Sequence, residues 1–148
     1  MRKIKIIVVA NKFKQYQSCI EHFEKLLQKD VQIIKIKPSN KSFPTNIEQE
    51  TQAILQILQK HKDRHKILLA IEGELIDSQQ LASTLKSQNK VIFVIGGAWG
   101  VDNKQLDKHI NQKISLGKIT LNHILALVVL LEQIFRSFDI NKWGSYHH

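Results

Sequence analysis

The chain has 148 residues, 43% hydrophobic and 24% charged, with a formal net charge of +9. That size and balance suit one globular domain with a sizeable core, expected over residues 1–148, and exclude a low-complexity or disordered chain. No apolar stretch approaches the ~20 residues that span a bilayer, and the single cysteine, Cys19, excludes an internal disulfide, so the cytoplasm is the expected compartment.

The N-terminus, Met1 to Lys5, is basic and runs into a strand-like segment, so no secretion signal is expected. Charge is uneven: residues 1–41 hold 10 Lys/Arg and 3 acids, whereas residues 42–148 hold 12 and 10. A basic first segment suits a polyanion such as RNA, because phosphate contacts release condensed counterions. Only 3 of the 22 basic residues are Arg, however, and a bias of codon usage toward Lys, Ile and Asn gives the same excess.

In chain order, Ile4 to Ala10 is a near-continuous apolar run, the pattern of a strand buried on both faces. Tyr16 to Gln28 carries Cys19, Ile20, Phe23, Leu26 and Leu27 at helical spacing, which places Cys19 in the core. Val31 to Ile36 alternates like an edge strand, and Pro38 to Pro44 is a loop. Asn46 is a plausible N-cap for a helix reaching about His61, with Glu48 and Glu50 near its positive end. Ile67 to Ile71 is a second buried strand, closed by Gly73; a helix then starts at Ser78. Val91 to Ile95 is a third buried strand, and Asp102 caps a short helix with Leu106 and Ile110 inward. Ile114 to Leu121 is a last strand and loop, and an apolar helix runs from His123 to about Ile140.

Alternation of this kind predicts an α/β fold, a mostly parallel sheet with helices on both faces. Such sheets hold ligands beyond the carboxyl ends of their strands. Three segments should meet there: Leu69 to Glu74, Gly96 to Gly100, and Leu116 to His123.

The loop Gly96-Gly97-Ala98-Trp99-Gly100 follows an apolar strand but lacks the Gly-Lys-Ser/Thr of a phosphate loop and the spacing of a dinucleotide fingerprint. Glycines there permit close backbone approach to a ligand, or simply a tight turn. His123 opens the last helix, as a surface residue or a ligand contact. Glu132 and Arg136 stand i, i+4, the spacing of an ordinary helix ion pair. The three last residues, Tyr146-His147-His148, read as a native polar tail. Two or three His without Cys or spaced carboxylates make a poor metal site, so no metal is expected.

The order Ile-Gly-Gly-x-x-Gly, Ser-Leu-x-x-x-Thr-Leu-x-His, Glu-Gln-x-x-Arg and a terminal Tyr-His resembles the ribosomal RNA large subunit methyltransferase H family, SPOUT-class enzymes that methylate N3 of a pseudouridine. The resemblance covers the whole chain and is specific from Ile95 onward. It implies a C-terminal trefoil knot, a homodimer, S-adenosylmethionine as cofactor, and large-subunit (23S) ribosomal RNA, in assembled ribosomes, as partner. By residue match it implies cofactor contacts at Leu69, Gly96, Gly97, Leu116, Gly117, Lys118, Ile119, Thr120 and Leu121. It implies substrate contacts at His123, Arg136, Tyr146 and His147, with Arg136, Tyr146 and His147 catalytic: His147 as base or relay, Tyr146 stacking on the substrate base, and Arg136 stabilising it once ionised. The tail would act across the dimer. The chain departs from the pattern at Asn122, Leu127, Glu74 and His148, where a Pro, an Arg, a Lys and another basic residue are usual, and each change would remove or weaken a group near RNA phosphate. Three other readings compete: a flavodoxin-like nucleotide-binding module, a homologue that binds RNA or ribosomes without catalysis or on another substrate, and an α/β protein with no small ligand.

Overall fold

The structure is a computed structural model and describes residues 2–148. Five strands, β1 (Ile4–Val9), β2 (Val31–Ile36), β3 (His65–Leu75), β4 (Val91–Ile95) and β5 (Gln112–Ser115), form one sheet. Its order is β2-β1-β4-β3-β5 and every neighbouring pair is parallel. The helices are α1 (Gln17–Leu26), α2 (Thr45–Gln59), α3 (Ser78–Ser87), α4 (Asn103–Leu106) and α5 (His123–Asn141).

The hydropathy pattern explains the layers. Side chains alternate across a strand. In β1, Ile4, Ile6 and Val8 face α1, α3 and α5, while Ile7 and Val9 face α2 and α4. Neighbouring β4 is buried throughout, as its unbroken Val-Ile-Phe-Val-Ile run requires. The alternating β2 lies at an edge, as expected. Helix α3 starts with a capping box, Asp77 accepting from the Gln80 backbone while the Gln80 side chain returns the bond. Asp102 caps α4 by accepting from the backbone of Lys104.

Three local expectations fail. Gly73 does not close β3. The strand continues to Leu75, and its register against β5 shifts between Leu69 and Glu74, both of which pair with Ile114. A side chain at Gly73 would put Cβ 2.8 Å from the backbone of Lys113 and Ile114, so the glycine serves close strand contact. Asn46 is not the cap: α2 begins at Thr45, and Asn46 is buried in the first turn, its Oδ1 accepting only from the adjacent Ile47 backbone. Cys19 is exposed rather than in the core, because α1 commits only Ile20 fully to the interior. No helix among the described residues is long and apolar enough to cross a membrane.

Candidate active site

A cavity of about 560 Å³ opens beyond the carboxyl ends of β4 and β5 and against the middle of β3. The three expected segments meet there. Leu69, Gly96, Gly97, Leu116, Gly117, Ile119, Thr120, Leu121 and His123 all line it; Lys118 sits in the same loop but off the wall. The volume falls in the ~300–1,000 Å³ range of small-molecule and cofactor sites.

Each wall has its own support. The turn from Gly97 to Gly100 is closed by the Gly100 N–H donating to the Gly97 carbonyl at 3.0 Å. Behind it stands Glu50 of α2, only 6% exposed, whose Oε2 accepts from the Ser39 backbone at 2.9 Å. A Cβ on Gly97 would come within 2.9 Å of Glu50 Oε1. The second loop is turned by Ser115, a buried hydroxyl that donates to the Gly117 carbonyl at 2.7 Å and accepts from the Gly117 N–H at 3.2 Å. Gly117 has φ +152, a backbone region that side chains disfavour. The third wall is the amino end of α5, capped by Asn122 Oδ1 accepting from Ile124 at 2.9 Å. That end presents the helix dipole's positive pole to the cavity. His123 lies there, and burial lowers its pKa below the usual imidazole value, so it is neutral at neutral pH.

Arg136, Tyr146 and His147 are also brought together, but not at the cavity. The chain turns back after α5, with the Gly144 N–H on the Asp139 carbonyl and the Tyr146 N–H on Asp139 Oδ2, both at 2.9 Å. Tyr146 then donates its hydroxyl to Glu132 Oε2 at 2.8 Å and stacks edge-on against Phe135. Arg136 donates to the same carboxylate at 2.7 Å, lies 4.7 Å over the Tyr146 ring, and donates to His147 Nδ1 at 3.0 Å. The bond from Arg136 is the main reason the Glu132 carboxyl titrates below its usual range, while Glu132 raises the Tyr146 phenol above its own. None of these four residues lines the cavity. The 13 residues from His123 to Arg136 span ~20 Å at 1.5 Å per helical residue.

Residues 2–147 match the family described as "Predicted SPOUT methyltransferase". The chain belongs to the SPOUT methyltransferase family. It is 37% identical to the "Ribosomal RNA large subunit methyltransferase H" of Oenococcus oeni, with 99% of each chain covered. Proteins of the same name from Pseudothermotoga lettingae and Streptococcus thermophilus are 34% and 36% identical, covering 99% and 98% of this chain and 99% of each relative.

In this SPOUT methyltransferase the departures from the family pattern acquire physical meaning. Asn122, where Pro is usual, caps α5. Leu127, where Arg is usual, is fully buried in the core with Leu130 and Leu131, so that position is closed to phosphate. Glu74, where Lys is usual, pairs in the β3–β5 ladder; the acid on the cavity wall is Glu72. Sequence reasoning placed Glu50 only in the first turns of α2 and Ser115 only at the head of the second motif; that Glu50 backs Gly97 and Ser115 turns the loop carries no spacing signal. It also missed that Trp99 stands 68% exposed at the cavity, 5.9 Å from the Phe43 ring.

Proposed function

We propose that this chain, folded as a single domain, methylates N3 of a pseudouridine in large-subunit (23S) ribosomal RNA, with S-adenosylmethionine as donor. The relatives' shared name supports the RNA substrate. The observation that carries the reading is the convergence of Leu69, Gly96, Gly97 and the Leu116–Leu121 loop on one cavity of suitable size. With Lys118 in support, they would hold the cofactor in a C-terminal trefoil knot, which the SPOUT fold implies. Glycines there let the backbone approach adenine and amino-acid groups closely. The donor supplies a methyl group on a sulfonium centre; the protein's share is alignment and proton removal.

Ala126 is the last residue of α5 on the cavity wall, and the ~15 Å from it to Arg136 supports a composite site in a homodimer, one subunit's tail serving the other's cavity. The outer stripe of α5 has the character of an interface. Leu125 and Val129 are half-buried and continue into Glu132 and Arg136, on a helix apolar nearly all round.

Within the tail, Arg136 has donors only, so His147 Nδ1 must accept, and a neutral imidazole then carries its proton on Nε2. His147 takes up the N3 proton through Nδ1 once Arg136 swings away. The freed guanidinium then neutralises the ionised base, and Tyr146 offers it a stacking face. His123, neutral at the cavity mouth, offers a hydrogen bond to the substrate.

The test is methyl transfer from labelled S-adenosylmethionine to assembled ribosomes from a strain lacking the family's enzyme, with label mapped by RNA digestion. Label in one large-subunit pseudouridine is expected. Folded protein that leaves the ribosomes unlabelled overturns the assignment.

A further inference from the structure

At the amino ends of the strands, opposite the cavity, lies a second concavity of about 490 Å³ lined by Arg2, Lys5, Lys29 and Gln32. Three of its four walls are cations. Beneath it is Arg64, only 3% exposed. Its guanidinium donates to the main-chain carbonyls of Arg2 at 2.7 Å, Lys3 at 2.9 Å and Val91 at 3.2 Å. It makes no hydrogen bond to a carboxylate, and its Nε has no partner. Lys66 likewise spends its ammonium on carbonyls, those of Lys62 and Arg64. Lys5 Nζ faces His61 Nε2 at 3.0 Å rather than an acid. The acids nearest it are Asp63, taken by Lys90 at 2.9 Å, and Asp30, beside Lys29.

We propose that this basic edge is a second RNA site, which takes phosphodiester groups of an RNA duplex on the side of the sheet away from the cavity. A buried guanidinium bonded to carbonyls has no carboxylate in direct contact, and an arriving phosphate supplies a closer counter-charge. Burial, then the charge of Arg64, lowers the Lys5 pKa, with the charge of Asp63 opposing the shift. No aromatic ring lines the concavity, so stacking on single-stranded bases is not available to it. The contact is to backbone and is independent of sequence. A six-residue strand separates the two ends of the sheet by ~20 Å, so RNA held here is a different segment from the one at the cavity. The choice of RNA over another polyanion rests on the proposed function.

The experiment is equilibrium binding of a fluorescent 20-base-pair RNA duplex to the full chain between 50 and 200 mM salt. Arg2 and Lys29 are exposed, so Arg2→Gln/Lys29→Gln spares the core. The variant should bind roughly tenfold more weakly, with a salt slope shallower by about 2, one for each phosphate it no longer neutralises. Arg2→Lys/Lys29→Arg should restore both. Charges that do not touch the RNA are largely screened beyond ~10 Å and would leave the slope unchanged. An unchanged slope overturns the proposal, as does a loss that the charge-preserving variant fails to restore. Neither depends on the methyl-transfer assay: a protein that labels no ribosome but keeps the slope difference loses the catalytic assignment alone.

Discussion

The cavity is walled by β3 and by the loops that leave β4 and β5, whose ladders and buried side chains fix where each loop starts, and Ser115 and Asn122 brace them by bonds to the main chain. The Tyr146–His147 tail instead rests on the half-exposed stripe of α5 through side-chain bonds to Glu132, Arg136 and Asp139. One region is anchored on the sheet. The other is held by a few polar contacts that can be exchanged for contacts to RNA. Binding calls for the first property and chemistry on a moving proton for the second, which is why the proposed roles divide as they do.

The largest effect should come from mixing two defective proteins. Gly117→Val places a branched side chain where φ is +152 and no atom lies within 4 Å, so the damage stays in the backbone of the cofactor loop. His147→Ala removes the proposed base. If tail and cavity meet across a dimer, each mixed dimer holds one intact site, and activity returns from near zero to a measurable fraction. No recovery in demonstrably mixed dimers places both parts in one subunit and sinks the composite site.

Next is Arg136→Ala, expected to lower turnover about 10²–10³-fold while S-adenosylmethionine affinity, read by equilibrium dialysis, stays within about twofold. A matching loss of affinity would show that the two regions are not separable. His147→Ala alone should cost about 10²-fold; unchanged turnover means another group takes the proton.

How much of this was readable from the sequence differs between the two regions. The cavity was foreseen because apolar runs mark buried parallel strands, which put their carboxyl ends on one side, although the glycine cue held after β4 and failed at Gly73 of β3. The tail was foreseen only as a resemblance. Nothing in the spacing of Tyr146 and His147 says that they fold back onto Glu132 and Arg136, a contact that depends on the reversal at Trp143 and Gly144.

A smaller effect is expected from Asn122→Ala, which removes the cap of α5. It should cost about 1 kcal/mol and lower the melting temperature by about 2–4 °C, measured by calorimetry; an unchanged melting temperature would mean water replaces the cap. The smallest concerns pH. Glu132 is depressed in the folded state, chiefly by Arg136, so its contribution to tail docking is complete above the ordinary carboxylate range. It is lost as pH falls through the lower, folded value. Proteolytic release of the tail should therefore rise in acid, and Glu132→Gln should release it at higher pH and flatten that rise, leaving the part carried by Asp139.

The sequence by itself determined the layered α/β architecture, the edge position of β2, the three loops of the cavity and the family. The layers, the edge strand and the loops follow from local hydrophobic period and turn chemistry, which act within a few residues, and the family from the resemblance of the ordered motifs after Ile95. Tertiary structure alone decided that Leu127 is core, that Gly73 lies inside a strand, that Glu50 backs Gly97, and that Arg2, Lys5, Lys29 and Arg64 share one edge. Each of these depends on segments brought together from distant parts of the chain. A residue's surroundings are then set by strand order and register, which no local pattern encodes.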